Sequence, residues 1–350
     1  MLITHRCLKE KHYICALYEP MEDMTTELFS ILTIMVICCI VLLGINSAVC
    51  LILKIAAGMP FKKAFRRGCI VLFIPPAAIA YGSLIERNLI NVKEVEIVCE
   101  DLPEGFDGYR LVHISDIHAR SFQGREMILQ KAVERINALE PDMIAFTGDL
   151  ITMLPDELDD MSDILGRLEP ADGVYSVLGN HDYCMYSGLS GKRRTEALEQ
   201  LVSAERSMGW TLLLNENCII RHGQDSIAVT GVENTSTSRH FPSRGDLAKA
   251  EAGTDGIFRI LLSHDPLHWE SEIIGKDYPL TLSGHTHAMQ FSFLGWCPSR
   301  YMFPHYRGLY STGSQYLHVN VGLGETIFPA RIGVRPEITL ITLHLRQEIK

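Results

Sequence analysis

Five times between residues 110 and 287 a short apolar, β-rich run stops on a cluster of Asp, His or Asn, and no other feature constrains the fold as strongly. The runs are Arg110 to Ser115, Met143 to Thr147, Val174 to Leu178, Ile260 to Ser263 and Leu280 to Leu282. Their length and composition predict buried strands, and Val95 to Cys99 and Ile227 to Val232 read the same way. Between them Glu126 to Leu139, Glu157 to Leu168 and Thr195 to Met208 repeat apolar residues at spacings of three and four, which predicts helices. Early alternation of the two patterns predicts a layered α/β domain. Leu212 to Leu214, Cys218 to Arg221 and Ile227 to Val232 follow one another closely, so part of the sheet structure is expected to be antiparallel.

The polar clusters at the run ends carry the chemistry. They are Asp116-Ile117-His118, Gly148-Asp149, Gly179-Asn180-His181-Asp182, Ser263-His264-Asp265 and Gly284-His285-Thr286-His287. Singly each has a plain reading: an Asp after a strand serves as a turn residue or helix cap, and a loop histidine is usually a hydrogen-bonded structural group. Alternation along an extended chain would aim Asp116 and His118 to one side, and His285 and His287 likewise. Five such loops beyond strand ends, offering imidazole, carboxylate and amide oxygen, suit a borderline divalent metal.

In this order the motifs resemble the calcineurin-like metallophosphoesterase superfamily over residues 105 to 343, and Tyr109 to His118, Val174 to Tyr183 and Pro336 to Leu343 resemble its membrane-associated bacterial branch, that of YkuE. The resemblance implies a β-sandwich flanked by helices and a pair of divalent metal ions, with manganese the first expectation and iron, zinc or cobalt also compatible. It implies that Asp116, His118 and His287 bind one metal, that Asn180, His264 and His285 bind the other, and that Asp149 bridges them. It implies that His181 binds no metal and acts on the scissile phosphate or the leaving oxygen, with Asp182 orienting its ring. In such a site a water held between two cations loses its proton near neutral pH and attacks phosphorus in line. The sequence departs from the family at Ala288-Met289-Gln290, where many relatives carry two glycines before the glutamine, and Gly148 to Thr152 lacks a further acid that some relatives have.

The chain begins differently. Leu28 to Leu53 runs 26 residues without a charge, enough to span a hydrocarbon core, and Gly68 to Ile85 adds an uncharged 18, with Pro75 and Pro76 expected to kink it. The first run is too long and starts too late for a typical cleaved signal peptide. Lys54, Lys62, Lys63, Arg66 and Arg67 lie between the runs with no acid among them, which predicts a cytoplasmic loop and a transmembrane hairpin with the catalytic domain on the extracytoplasmic side. The expected domains are residues 1–26 without an assigned role, 27–88 as the helical hairpin and 89–350 as the phosphoesterase.

A net charge of −10 argues against a nucleic-acid partner, leaving a small phosphorylated or lipid-linked substrate and the membrane. Ten cysteines show neither paired metal-ligand spacing nor a disulfide framework, six of them falling within the first 69 residues. Two spans free of intramembrane acids and bases give no basis for a channel or transporter. Arg300, Arg307 and Arg331, with Tyr301 and Tyr306, read either as an anion fork or as surface packing, and Lys192 to Arg194 as a basic lip or a solvated helix start. The sequence thus predicts a membrane-anchored, metal-dependent phosphoesterase acting on a phosphomonoester or phosphodiester. The alternatives are a pyrophosphatase of a UDP-diacylglucosamine-type lipid and a metal-binding scaffold without catalysis.

Overall fold

Successive side chains of a strand point to opposite faces, and in the computed structural model both faces of nearly every central strand are covered. The structure describes residues 3–236 and 241–346, with side chains at residue 29 and from residue 31 onward. The chain divides into two units, Met1–Ile85 with Ile327–Ala330, and Glu86–Thr326 with Arg331–Lys350.

The first unit is helical: α1 (Ile3–Ala57), α2 (Phe61–Gly68) and α3 (Ile74–Leu84), with a 3-10 turn over Cys69–Phe73. The opening residues 1–26, which carry no assigned role, lie outside the described side chains. Ile31–Ala57 and Phe61–Asn88 are each long and apolar enough to cross a membrane. Only 11% of each apolar window is buried, and side chains such as Ile40, Ile55, Ile70 and Phe73 stand more than half exposed. Pro75 and Pro76 sit at the start of α3, where a missing N–H costs nothing, and the expected kink takes the form of the 3-10 turn before it. Buried Asn46 ties the helices together through its Nδ2, which donates to the Phe65 carbonyl at 3.1 Å.

Among the described residues the second unit holds twelve strands. They are β1 (Asn91–Cys99), β2 (Tyr109–Ile114), β3 (Met143–Phe146), β4 (Val174–Ser176), β5 (Thr211–Leu212), β6 (Glu216–His222), β7 (Asp225–Gly231), β8 (Phe258–Leu262), β9 (Leu280–Ser283), β10 (Gly308–Thr312), β11 (Gln315–Val319) and β12 (Glu337–Leu345). One sheet has the order β1-β12-β2-β3-β4-β5 and the other β10-β11-β9-β8-β7-β6. Strands β2, β3 and β4 run parallel, as do β7, β8 and β9, whereas β6–β7, β10–β11 and β2–β12 are antiparallel.

Alternation sorts the core into layers. Leu111, Met143 and Ala145 turn inward to meet Ile260, Leu262, Leu280, Leu282 and Ile341 between the sheets. Val112, Ile144 and Phe146 turn outward beneath α4 (Glu126–Asn137) and the longer of the later helices, among Leu129, Val133, Ile136 and Leu201. Those later helices are α5 (Ser162–Leu165), α6 (Lys192–Ser207) and α7 (Leu247–Ala250). Leu261, Leu317 and Val319 back the second sheet against Leu247, Trp269 and Ile273. The arrangement is the expected two-sheet α/β sandwich with helices outside.

One predicted helix does not form. Glu157 to Leu168 is a 3-10 turn, Pro155–Leu158, followed by the single turn of α5. The Glu157 carboxylate accepts backbone N–H bonds from Thr152, Met153 and Leu154 at 2.6 to 3.1 Å, which fixes the chain in a tight loop before a helix can propagate. Leu158, Met161 and Leu165 are buried all the same, so the apolar spacing reported burial and not helix.

Candidate metal centre

Each predicted donor lies just past a strand end: Asp116 and His118 after β2, Asp149 after β3, Asn180 after β4, His264 after β8, and His285 and His287 after β9, with His181 next to Asn180. The carboxyl ends of both sheets therefore meet in one place. The donors do not get there on extended chain, contrary to the alternation argument. Asp116 (φ 49°), His118 (φ 44°), Asp149 (φ 59°), His285 (φ 71°) and His287 (φ 46°) are all left-handed, a conformation that costs a non-glycine residue of order 1–3 kcal/mol. The left-handed turns fold side chains back over the strand ends. Gly148 (φ 93°) permits this beside Asp149, because a Cβ there would run into the backbone of Gly179.

Two groups of the predicted donors converge, and His181 forms a third cluster with His118 and Asp149, whose ligand atoms all lie within 4.8 Å of one another. In one, His118 Nε2 is 3.1 Å from His287 Nε2, which is 3.2 Å from Asp116 Oδ1. In the other, His264 Nε2 is 3.2 Å from each of Asp149 Oδ2, Asn180 Oδ1 and His285 Nδ1. Asp149 joins them, since its Oδ2 is also 3.7 Å from His118 Nε2. The outer bonds show which atoms face inward. His264 Nδ1 is 2.7 Å from the Thr147 carbonyl, so Nδ1 carries a proton and Nε2 is the atom turned toward the other donors. Asn180 Nδ2 donates to the Tyr186 hydroxyl at 3.1 Å, which turns Oδ1 toward His264. Imidazole, carboxylate and amide-oxygen atoms thus face one another across about 3 Å, an arrangement that calls for a cation among them, and this donor set fits the divalent metals of the expected chemistry.

The electrostatics agree. Burial pushes the His118 and His285 imidazoles below their ordinary pKa. Burial opposes charge on His264 too, but the Asp149 carboxylate outweighs it and carries the ring up to about 10. Burial would raise Asp116 and Asp149, yet the His287 and His264 rings respectively hold them below the usual carboxylate range. Buried carboxylates draw positive charge onto whatever nitrogen they face, and a metal ion answers that demand more fully than a proton.

His181 stands at the edge of both groups. Its backbone N–H donates to Asp149 Oδ1 at 2.8 Å, and its ring lies edge-on to His118 with centroids 4.9 Å apart. Asp182 does not orient that ring. The fully buried Asp182 carboxylate accepts N–H bonds from Asp149, Leu150, Ile151 and Gly179 at 2.8 to 3.2 Å, pinning two strand-end loops together. The ring is held by the Thr152 carbonyl, 2.7 Å from Nδ1, and by the Tyr186 ring, whose centroid is 4.3 Å away.

Arg331 is fully buried, so it is no substrate fork. Its Nη2 faces the carbonyls of Val321, Gly322 and Gly324, which uses both its hydrogens and leaves none for His287 Nδ1 at 3.5 Å. Arg300 and Arg307 lie over the rings of Tyr301 and Tyr306. Lys192 begins α6 in solvent, paired with Glu196. Sequence reasoning missed Thr147 and Thr152, which act through backbone carbonyls that no side-chain pattern reveals. It also missed Tyr186 and Phe303, the latter with its ring 5.5 Å from that of His285; only their aromatic character beside the motifs could have flagged them.

Two sheets whose strand ends gather His, Asp and Asn into paired donor groups define a metallophosphoesterase. The profile of the calcineurin-like phosphoesterase family matches residues 109–289, and the chain belongs to that family. It is 33% identical over 296 residues to a "Transmembrane protein with metallophosphoesterase domain" of Danio rerio, covering 80% of this chain and 63% of that one, and 31% identical over 293 residues to a Bos taurus protein of the same description, covering 81% and 63%. It is 31% identical over 272 residues to the "Uncharacterized metallophosphoesterase YkuE" of Bacillus subtilis, covering 75% and 88%. The chain thus spans about 63% of the length of these two vertebrate relatives.

Proposed function

We propose that this chain is a membrane-anchored phosphoesterase that hydrolyses a phosphomonoester or phosphodiester with the help of two divalent metal ions, manganese being the first expectation. The observation that carries the reading is the sharing of Asp149 between the two donor groups, with His181 beside it. In this reading Asp116, His118 and His287 hold one ion, Asn180, His264 and His285 the other, and Asp149 both. Such a pair of ions would lower the pKa of a water and neutralise phosphate oxygens.

The chain's own residues supply the rest. Thr152 accepts the Nδ1 proton of His181, so His181 Nε2 is the nitrogen that gives a proton to the leaving oxygen. Asp182 fixes the Asp149 and Asn180 loops relative to each other through four N–H bonds. Residues 27–88 anchor the chain, residues 89–350 form the catalytic domain, and the basic loop between the apolar segments puts that domain outside the cytoplasm.

The test is hydrolysis of bis-p-nitrophenyl phosphate and p-nitrophenyl phosphate by the full chain in detergent, metal-stripped and then resupplied with Mn, Zn, Fe or Mg. Activity restored by one metal, with two ions bound per chain, is expected. Two bound ions and no hydrolysis of either ester under any metal would sink the catalytic reading for simple esters.

A further inference from the structure

The segment that follows His287 has a surface unlike the rest of the catalytic unit. Phe293 and Trp296 pair in a tight hairpin through reciprocal backbone bonds of 2.8 and 2.9 Å, and Leu294 and Gly295 make the turn with φ of 49° and 82°. Two positive φ values mark a turn that favours Asn-Gly, so a leucine at its first position is strained. That leucine is also 92% exposed, flanked by Phe293 at 63%, with Tyr301 at 73% and Met302 at 63% a few residues on. In water Leu294 pays twice, in backbone strain and in exposed apolar surface, and gains nothing.

The hairpin is nonetheless firmly rooted. Cys297 and Ser299 are fully buried, and the Ser292 N–H donates to the Ile332 carbonyl at 2.7 Å. Its roots lie at the metal centre: the segment leaves from His287 and returns past Phe303, beside His285, to the Tyr306 carbonyl, which accepts from Thr286 Oγ1 at 2.6 Å. No Asp or Glu occurs between Asp277 and Glu325, although the whole chain has 42 acids in 350 residues, and Arg300 and Arg307 lie within that stretch. Exposed Phe and Leu at a tip, Trp and Tyr behind them and arginine without acids match the polarity gradient of an anionic bilayer surface. A bilayer is the partner that two membrane-length apolar segments in the same chain already bring.

We propose that the 291–302 hairpin enters the interfacial layer of a bilayer and presents the metal centre to a phosphate ester embedded there, so that the substrate is a lipid phosphate. This rests on the phosphoesterase reading for its substrate half only.

The experiment uses the three tryptophans. Trp210 and Trp269 are 4% and 1% exposed, whereas Trp296 is 44% exposed at the hairpin. The full chain is reconstituted into vesicles of phosphatidylglycerol with either ordinary or brominated phosphatidylcholine. Bromine is expected to quench wild-type emission, and Trp296→Phe to abolish most of that quenching; equal quenching in both proteins, or none in either, overturns the insertion. A change in oligomeric mass of Leu294→Ser in detergent, with no quenching, would assign the hairpin to a contact between copies instead.

The substrate half is read from the ratio of rates on vesicle-embedded hexadecyl p-nitrophenyl phosphate and dissolved methyl p-nitrophenyl phosphate. The double variant Phe293→Ser, Leu294→Ser is expected to lower that ratio by about tenfold or more, since withdrawing even one such side chain from an apolar layer costs that much. An unchanged ratio overturns the lipid substrate. If the wild type cleaves neither ester, the phosphoesterase reading fails while the quenching result stands by itself.

Discussion

Asp149 is the residue on which both donor groups depend, with Oδ2 facing His264 and His118 and Oδ1 accepting from the His181 backbone. Asp149→Asn removes the charge that both groups share, so metal content measured by elemental analysis should fall below two per chain and hydrolysis should drop with it. The His181 ring is hydrogen-bonded through Nδ1 to the Thr152 carbonyl, and in the proposed assignment it binds neither ion although it lies within 4.8 Å of His118 and Asp149. His181→Ala should therefore keep two ions and slow turnover by about a hundredfold or more, the usual weight of a general acid; loss of metal would show that its role is ligation. A third prediction concerns a buried acid outside the centre. Burial, and then Asp182, push Glu205 up to about 8, although the Ser176 hydroxyl donates to it at 2.7 Å. Between its unfolded value near 4.5 and about 8, Glu205 is protonated when folded and ionised when unfolded, so stability falls as pH rises through that window. Glu205→Gln should flatten this fall, raising the melting temperature at pH 8 relative to wild type and leaving it near wild type at pH 5.

At the scale of elements, the strand ends and not the strands make the centre. Gly148 and Gly179 let the loops after β3 and β4 touch backbone to backbone, and Asp182 bonds across that contact. Gly148→Ala would add a Cβ against Gly179 at a φ of 93°, and is expected to lower metal retention as well as stability. The loop after β9 illustrates the opposite case. Ala288 and Met289 have φ of 48° and 49°, a glycine-like backbone that side-chain-bearing residues hold at a cost in strain. Met289 is 45% exposed and packs little, so Met289→Gly should relieve about 1 kcal/mol, visible as a higher unfolding midpoint. A lower midpoint would mean that the methionine side chain holds the loop.

For the whole molecule, the centre exists only while the two sheets stay in register, because Asp116, Asp149 and Asn180 come from one and His264, His285 and His287 from the other. Leu282→Ala, in the layer between the sheets, should cost roughly 2–5 kcal/mol. It should also weaken metal binding at a distance, which titration with Mn under native conditions would detect. The sequence alone carried the strand runs, the motif order and the two apolar segments, because periodicity, residue chemistry and length are local properties. It therefore sufficed for a layered α/β domain with an antiparallel portion, for metal-suited loops beyond the strand ends and for the membrane-length segments, while the sandwich and the seven donor positions came from the resemblance that the motif order carries. It misjudged Glu157 to Leu168 because the spacing that buries Leu158, Met161 and Leu165 is shared by a helix and by two short turns, and the bonds from Glu157 to the preceding loop decided between them. The reading taken with the resemblance gave Asp182 to the His181 ring, whereas tertiary folding brought the Thr152 carbonyl to that ring and spent Asp182 on backbone N–H groups. The strain at the donors and the exposed hairpin beyond His287 were likewise decided by folding, since a backbone angle and a side chain's surroundings depend on groups far along the chain.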